Sequence, residues 1–190
     1  ETERLWELAA AALGEIARPV IVDLCTGSGN LALSLKHSYP GGRVIGVDVS
    51  ADAISLAQEN ATATGMDVEF FEGDLFAALP GELRGVVDLI VSNPPYVATA
   101  EYWDLPPEIV NYEPRLALVA GEDGLDVLAG IASRAQDWLR GGGTVACEIG
   151  ESQGDACRRL FADYGAEISQ DLAGRDRFVI GTAPMASHLH

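Results

Sequence analysis

The sequence predicts a single doubly wound α/β domain with a mostly parallel, seven-stranded sheet that ends in an antiparallel edge hairpin. Three observations indicate this fold. Apolar runs of strand length alternate with amphipathic segments of helix length. A glycine-rich turn over residues 25–29 joins the first of these runs to a helix. The last two strand-like runs follow each other without a helix between them, which favours an antiparallel pair at the edge of the sheet.

The first half of the chain alternates strictly between helix and strand. Apolar residues at helical spacing predict a helix from Glu3 to Leu13, and the apolar run Val20–Leu24 predicts a buried strand. The elements expected after the glycine-rich turn are a helix over 30–37, a strand over Val44–Asp48 and a helix over 51–63 that Ser50 caps.

The second half completes the sheet. Strands are expected at Val68–Phe71, Val86–Val91, Thr144–Ile149, 166–171 and 177–180, and helices at 125–139 and 152–164. The glycines at 141–143 are expected to end the first of these helices. Residues 97–122 are the least regular part of the chain, where a lid or a specificity loop is expected.

Length and charge limit the possible functions. The chain has 190 residues, a mass of 20.0 kDa and 48% hydrophobic residues, which is enough for one well-filled core and short for two domains. We expect residues 1–183 to form this domain and residues 184–190 to be a flexible tail. The formal net charge of −17 opposes binding driven by nucleic-acid phosphates, so no direct nucleic-acid partner is expected.

Cysteine and histidine positions favour a metal-free protein of a reducing compartment. Cys25, Cys147 and Cys157 are odd in number and show no CxxC spacing, so neither a disulfide framework nor a zinc site is predicted. Two of the three histidines, His188 and His190, lie in the predicted tail. The sequence contains no apolar stretch of transmembrane length and no signal-peptide pattern, so we expect a cytoplasmic protein.

The most informative motif is Asn93-Pro94-Pro95-Tyr96, directly after a predicted buried strand. Two consecutive prolines make this loop rigid and leave one side-chain amide and several backbone carbonyls facing a cleft. If the Asn93 side-chain oxygen and the Pro94 carbonyl each accept one N–H of a substrate NH2 group, the nitrogen lone pair is steered towards an electrophile. Tyr96 is placed to flank a planar amide or base.

A second motif, Asp23 to Asn30, is a glycine loop of the type that binds a nucleoside-bearing cofactor. Gly27 and Gly29 allow close approach of the backbone to a ligand, and Asp48 at the tip of the next strand is placed to accept hydrogen bonds from ribose hydroxyls. The spacing Gly27-x-Gly29-x-x-Ala32 also satisfies the fingerprint of NAD-dependent oxidoreductases, which is the competing interpretation.

Two features favour S-adenosylmethionine over a dinucleotide. The carboxylate of Asp23 can attract the ammonium group of S-adenosylmethionine but would lie unfavourably near a pyrophosphate. Lys36 is the only lysine, so the chain has no Tyr-x-x-x-Lys pair for hydride transfer. After the third strand, Asp74 and Leu75 are expected near the adenine. The predicted cofactor contacts are Asp23, Cys25, Thr26, Gly27, Ser28, Gly29, Asp48, Val49, Asp74, Leu75 and Asn93.

With both motifs in this order, the chain resembles the HemK/PrmC protein-(glutamine-N5) methyltransferases, which methylate the glutamine of the Gly-Gly-Gln loop in class 1 peptide-chain release factors. The resemblance includes the cofactor loop, Asp48 and the Asn93 loop. It extends to four later segments, which other methyltransferases with an Asn-Pro-Pro-aromatic loop usually lack: Leu105–Glu108, Tyr112–Leu118, Gly121–Leu125 and Asp171–Arg177.

The resemblance implies a Rossmann-like class I methyltransferase fold, S-adenosyl-L-methionine as cofactor with S-adenosyl-L-homocysteine as product, and a release factor as partner. It also implies that the helical N-terminal domain of the family is absent from these 190 residues. Cys25 replaces the usual glycine before Thr26, which should be tolerated if that position does not require a positive φ. Leu75 stands where many members have tryptophan, which gives a smaller adenine wall.

Two further interpretations stay open at this point. An adenine-N6 or guanine-N2 nucleic-acid methyltransferase shares the Asn-Pro-Pro-aromatic loop, although the charge of −17 disfavours it. A catalytically silent module that binds S-adenosylmethionine is the other alternative, and the intact Asn93 loop counts against it.

Overall fold

A computed structural model describes residues 2–185, and its centre is one seven-stranded sheet. The strands are β1 (Val20–Leu24), β2 (Arg43–Asp48), β3 (Glu69–Glu72), β4 (Val87–Ser92), β5 (Leu139–Glu148), β6 (Glu167–Gln170) and β7 (Asp176–Thr182). Their order in the sheet is β3-β2-β1-β4-β5-β7-β6. Strands β1 to β5 pair in parallel, whereas β7 is antiparallel to both β5 and β6. This confirms the predicted fold class.

Helices cover both faces of the sheet. They are α1 (Thr2–Leu13), α2 (Asn30–Ser38), α3 (Ala51–Thr64), α4 (Pro107–Tyr112), α5 (Asp126–Arg134) and α6 (Gly154–Leu160). Helix α3 begins where Ser50 accepts a hydrogen bond from the backbone N–H of Ala53, as the capping pattern predicts, and ends at Gly65 in the left-handed conformation. None of the helices within residues 2–185 has the length and hydrophobicity needed to cross a lipid bilayer.

Alternate residues of the central strands face two separate apolar cores. Ile21 and Leu89 point to the core formed with α1 and α2, while their neighbours Val22 and Ile90 point to the core formed with α5 and α6. This is the period-two alternation of a strand that is buried on both sides, which explains why these strands read as continuous apolar runs in the sequence.

The expected helix over 125–139 is wrong at its end. Helix α5 stops at Arg134, and a short 3₁₀ turn leads directly into β5, which begins at Leu139. The glycines at 141–143 therefore lie inside a strand instead of ending a helix. The strand requires glycine at position 143, because a Cβ atom there would lie 2.9 Å from the carbonyl oxygen of Val87. This close approach accompanies a register shift between β4 and β5.

Residues 97–122 are irregular, as predicted, but not structureless. They contain α4 and two 3₁₀ turns at Tyr102–Asp104 and Arg115–Ala117. Val97 forms an isolated parallel bridge with Val119, which closes this segment into a loop whose two ends lie side by side. Of the predicted tail, residues 186–190, with His188 and His190, lie outside the described part of the chain.

Candidate active site

A cavity of about 500 Å³ lies at the carboxyl ends of the parallel strands. Strand β1 pairs with β2 on one side and with β4 on the other, so the loops that leave β1 and β4 diverge at this position. Such a switch in strand order opens a crevice at the sheet edge, which is where α/β proteins of this type bind ligands. Residues from both motifs that the sequence analysis singled out line this cavity.

Most of the predicted site residues line this cavity. They are Asp23, Cys25, Thr26, Gly27, Ser28, Asp48, Val49, Asp74, Leu75, Asn93 and Pro95. Gly29, Pro94 and Tyr96 are not among its lining residues. Gly29 instead supports the loop from behind, because its φ is +80° and a Cβ atom there would lie 3.0 Å from the Phe70 ring.

The glycine loop is tied to the neighbouring strand β2 and to helix α3. The backbone N–H of Thr26 donates to the carbonyl of Val47 at 2.9 Å. The N–H of Gly27 donates to Asp48 Oδ2 at 2.9 Å, and the Asn60 side chain donates to the carbonyl of Ser28 at 3.0 Å. These long-range bonds fix the conformation of the loop before any ligand binds.

Cys25 and Leu75 are two non-glycine residues with a positive φ, at +59° and +46°. Cysteine in place of glycine at position 25 was expected to be tolerated only if this position does not require a positive φ. The position does lie in the left-handed region, so this condition is not met. Leu75 finds room because the facing residue in α5 is Gly130, where a Cβ atom would lie 2.9 Å from Leu75 Cδ1. Both departures from the family pattern thus carry backbone strain in the wall of the cavity.

Asp23 places a buried carboxylate in the cavity wall, with 1% of its surface exposed. Its Oδ2 accepts a 2.7 Å hydrogen bond from the Thr26 hydroxyl. Burial raises the pKa of Asp23 to about 7, and the Thr26 hydrogen bond opposes this increase. A carboxylate at this depth is favoured by a cation in the cavity, because a positive charge would compensate its lost hydration.

Asp48 ends β2 and organises the loops on either side of it. Its Oδ2 accepts from Gly27, and its Oδ1 accepts a 3.0 Å bond from the N–H of Ser50. Each carboxylate oxygen has a second lone pair, so the group can still accept hydrogen bonds from ligand hydroxyls. The N–H of Gly73 donates to the Asp48 carbonyl at 2.9 Å, which positions the following Asp74 and Leu75 beside the cavity.

Asn93 lies at the mouth of the cavity. Strand β4 ends at Ser92, whose hydroxyl donates to the carbonyl of Leu24 at 2.7 Å and fixes this strand end against the start of the glycine loop. The Asn93 side chain is exposed, and it forms no hydrogen bond with any group that the structure describes, a set that leaves out the side chains of residues 2 and 112. Its amide is therefore available to a ligand, with the buried Asp23 carboxylate also in the cavity wall.

Tyr96 is not among the residues that line the cavity, and two hydrogen bonds fix it beside its neighbours. Its hydroxyl donates to Oε1 of the buried Glu148 in β5 at 3.2 Å. Its carbonyl accepts a 2.9 Å bond from the side-chain amide of Gln153. The end of the Asn-Pro-Pro-Tyr loop is thus fixed at two points, and the expected role of Tyr96 beside the substrate stays a prediction.

Sequence reasoning missed part of the lining. The residues concerned are Asn30, Leu31, Val47, Ser50, Ala53, Gly73, Pro114, Leu116, Ala117, Val119 and Val127. Four of them lie between 114 and 119, within the segment expected to be a lid or specificity loop. The resemblance over Tyr112–Leu118 was the available signal, because a segment that matches the family so close to the substrate loop is a candidate for the site.

Comparison with known proteins identifies the family of this chain. The family model for the methyltransferase small domain matches residues 7–112. The chain is 44% identical over 181 residues to the release factor glutamine methyltransferase of Deinococcus radiodurans, which covers 94% of this chain and 63% of that protein. It is 41% identical over 188 residues to the protein of the same name from Xylella fastidiosa strain 9a5c, which covers 97% of this chain and 67% of that protein. The chain belongs to the release factor glutamine methyltransferase family.

The family assignment confirms the resemblance found in the sequence. This release factor glutamine methyltransferase family member also shares its fold with solved structures. One is the T. thermophilus 16S rRNA N2 G1207 methyltransferase, with a TM-score of 0.68, 20% identity, and coverage of 96% of this chain and 42% of that one. Identity at this level shows the fold alone. The chain spans 63%, 64% and 58% of the length of the relatives from D. radiodurans, Streptomyces coelicolor and Mycobacterium leprae.

Proposed function

We propose that this chain catalyses S-adenosylmethionine-dependent methylation of a protein glutamine at the side-chain nitrogen N5, in the Gly-Gly-Gln motif of class 1 peptide-chain release factors. The observation that carries the proposal is the exposed, uncommitted amide of Asn93 at the mouth of a cavity with a buried carboxylate in its wall. The names of the relatives from D. radiodurans and S. coelicolor support the substrate. The proposed catalytic domain comprises residues 1–183.

The cavity residues fit the parts of S-adenosylmethionine. Asp23 is suited to the ammonium group because a cation would offset the cost of its burial. Asp48 retains lone pairs for the ribose hydroxyls, and Leu75 offers an apolar surface to the adenine. When bound, S-adenosylmethionine supplies a methyl group on a positively charged sulfur, and the transfer produces S-adenosylhomocysteine.

The chain's contribution to the chemistry is to hold and orient the substrate amide. An amide nitrogen is a poor nucleophile because its lone pair is delocalised into the carbonyl. Asn93 Oδ1 accepts one N–H of the glutamine amide, and the carbonyl of Pro94, which lies between the lining residues Asn93 and Pro95 but is not itself in the lining, accepts the other. Both contacts direct the nitrogen towards the cavity and favour the positive charge that develops on it. The nitrogen loses one proton when its new N–C bond has formed.

The charge of the chain supports a protein rather than a nucleic acid as substrate. Beside the net charge of −17, the segment over 97–123 has one basic residue, Arg115, against six acidic ones: Glu101, Asp104, Glu108, Glu113, Glu122 and Asp123. A segment of this charge beside the cavity repels phosphate backbones. The three cysteines are all free thiols, two of them buried, which supports a place in a reducing cytoplasm.

The experiment that tests the proposal is transfer of label from methyl-labelled S-adenosylmethionine to purified release factor. A release factor with the Gly-Gly-Gln glutamine replaced, total nucleic acid, and the Asn93→Ala variant of the chain serve as controls. We expect label only on the intact release factor and only with Asn93 present. Label in nucleic acid instead, or on the release factor without its glutamine, would overturn the proposed substrate.

A further inference from the structure

Gln153 joins three separate loops beside the proposed active site. The residue lies just before α6, and 8% of its surface is exposed. Its Nε2 amide lies 2.9 Å from the carbonyl oxygen of Tyr96, 3.2 Å from that of Gly124 and 3.3 Å from that of Asp123. Its Oε1 accepts a 2.8 Å bond from the N–H of Gly150, in the loop that follows β5. One carboxamide therefore satisfies backbone groups from three parts of the chain.

The backbone around Gln153 is arranged to admit this contact. Gly124 has a φ of +74°, and a Cβ atom there would lie 2.2 Å from the Tyr96 carbonyl oxygen and 2.8 Å from Gln153 Nε2. A side chain at residue 124 would therefore displace either the loop or the glutamine. Because three carbonyl oxygens converge on one NH2 group with two hydrogens, at least one hydrogen is shared between acceptors.

The segment that follows Tyr96 is tied to the same region. The N–H of Val97 donates to the Leu118 carbonyl at 2.8 Å, and the N–H of Ala120 donates to the Val97 carbonyl at 3.0 Å. This pairing connects the Asn-Pro-Pro-Tyr loop to the wall formed by residues 114–119. A shift of the Tyr96 carbonyl would therefore move both the substrate-holding loop and that wall.

We propose that Gln153 is a positioning residue that fixes the loop presenting Asn93; the inference rests on the proposed function. Pro94 and Pro95 separate Asn93 from Tyr96, and proline rings fix φ. A displacement at Tyr96 is therefore transmitted to Asn93 and not absorbed between them. Loss of the Gln153 amide removes the hydrogen bonds it donates to the carbonyls of Tyr96, Asp123 and Gly124, which weakens the link between the Tyr96 loop and its surroundings.

Two variants, Gln153→Met and Gln153→Glu, and one control, Tyr164→Phe, test this role. Methionine is similar in length to glutamine but cannot replace the hydrogen bonds of its amide group. Tyr164→Phe removes a comparable buried bridge elsewhere, because the Tyr164 hydroxyl donates to the Ala132 carbonyl and accepts from the N–H of Gln136, both at 2.8 Å. The control loses two hydrogen bonds of a largely buried side chain without touching the Asn93 loop.

The first readout needs neither substrate nor cofactor. Hydrogen–deuterium exchange of the ligand-free chain is measured at the backbone N–H groups of Val97 and Ala120. We expect exchange in Gln153→Met to be faster by roughly tenfold or more, because the loop opens locally, whereas Tyr164→Phe leaves these two amides as in the wild type. Wild-type exchange at both amides in a folded Gln153→Met variant would overturn the positioning role.

The second readout separates position from stability. At a temperature at which all variants are folded by circular dichroism, Gln153→Met is expected to lower kcat by roughly tenfold or more while KM for S-adenosylmethionine changes by less than about twofold. Tyr164→Phe keeps both constants. Wild-type kcat in Gln153→Met would overturn the inference. If the wild-type chain transfers no methyl group to a release factor, the proposed function is overturned. The hydrogen–deuterium exchange result then tests by itself whether Gln153 fixes the loop.

Gln153→Glu keeps the inference testable if the methionine variant does not fold. A neutral glutamic acid retains one donor for the Tyr96 carbonyl and an acceptor for the N–H of Gly150, whereas the ionised form still accepts from Gly150 but replaces the donor with an oxygen that faces the carbonyl oxygens. Exchange at Val97, relative to wild type at the same pH, is expected to increase with pH. A ratio that stays constant between low and high pH would count against the contact between Gln153 and the loop.

Discussion

The hydroxyl of Thr26 donates a 2.7 Å hydrogen bond to Oδ2 of Asp23, and this carboxylate is buried in the wall of the cavity. Opposing effects act on the group. Burial and, to a smaller extent, the charge of Asp48 disfavour the ionised form, whereas the Thr26 hydrogen bond and one from the backbone of Ala32 favour it, and the pKa of Asp23 is raised to about 7. A residue proposed to bind a cation therefore changes its charge close to neutral pH.

The first prediction concerns cofactor affinity and pH. Below its pKa of about 7, Asp23 is neutral in the free chain and must lose a proton to attract an ammonium group. The affinity for S-adenosylmethionine is expected to fall by up to about tenfold per pH unit as the pH decreases from 7 to 5, a range in which the ligand's α-ammonium group stays charged. Isothermal titration calorimetry at several pH values measures this dependence.

Asp23→Asn supplies the control for this titration. The variant keeps an acceptor for the Thr26 hydroxyl but has no charge at any pH. We expect weak binding with little pH dependence over the same range. A wild-type affinity that is constant from pH 7 to pH 5 would remove Asp23 from the proposed ammonium site.

The second prediction concerns the stability of the ligand-free chain. Since the pKa of Asp23 is raised from 3.8 in a model compound to about 7, its contribution to stability is fully present below 3.8 and is lost as the pH rises through 7. Asp23→Asn should therefore increase the free energy of unfolding at pH 8 by up to about 4 kcal/mol, and by little at pH 4. Urea denaturation at the two pH values measures the difference.

An exposed carboxylate controls for the change in net charge. Asp155 contacts Arg158 on the surface, and its side chain is 85% exposed. Asp155→Asn removes the same charge without a buried group and should show a small effect at both pH values. Equal responses of the two variants to pH would mean that ionisation of Asp23 carries no cost in the folded chain.

The third prediction concerns the substrate amide. Asn93→Ala removes the proposed acceptor at the mouth of the cavity and should reduce kcat on the order of a hundredfold or more. The dissociation constant for S-adenosylmethionine should stay close to the wild-type value, because the Asp23 and Asp48 contacts are unchanged. Single-turnover methyl transfer and calorimetry separate the two effects. Transfer at the wild-type rate would be incompatible with the amide-holding role of Asn93.

The fourth prediction concerns Asp48, which accepts hydrogen bonds from Gly27 and Ser50. Asp48→Ala leaves both N–H groups without their acceptor and removes the proposed ribose contact. We expect the binding free energy of S-adenosylmethionine to weaken by about 1–3 kcal/mol. Asp52→Ala, an exposed carboxylate in the first turn of α3, is the matched control and should bind as the wild type does. Unchanged binding by Asp48→Ala would contradict the ribose assignment.

Local sequence patterns correctly predicted the strands and loops that position the site residues. Strand β1 has the predicted bounds, because a strand buried on both faces reads as an uninterrupted apolar run. The same rule located Asn93 directly after β4, and strand ends of a parallel sheet meet at one edge. The association of the Asn93 loop with the glycine loop therefore followed from the fold class and the order of the motifs. The chemical roles of these residues stay predictions.

Contacts between distant loops could not be predicted in the same way. Gln153 and Tyr96 are 57 positions apart, and neither lies in a periodic pattern that would indicate their contact. At residues 141–143 the sequence did contain a local signal, but the signal was misleading. Consecutive glycines are typical of a helix end, whereas here they lie in β5, where β4 approaches closely. Tertiary packing, which no local signal contains, decided both cases.

The last prediction follows from the backbone of Cys25, whose φ of +59° was not evident from its sequence. A residue with a Cβ atom is strained in the left-handed region by roughly 1–2 kcal/mol, whereas glycine is not, although glycine has more conformational entropy to lose on folding. Cys25→Gly should therefore be more stable than Cys25→Ala by about 1 kcal/mol in urea denaturation. Comparing these two variants removes the contribution of the thiol, since both lack it. Equal stability of Cys25→Gly and Cys25→Ala would show that the glycine loop relaxes at residue 25 and that its strain is not a fixed property of the cavity wall.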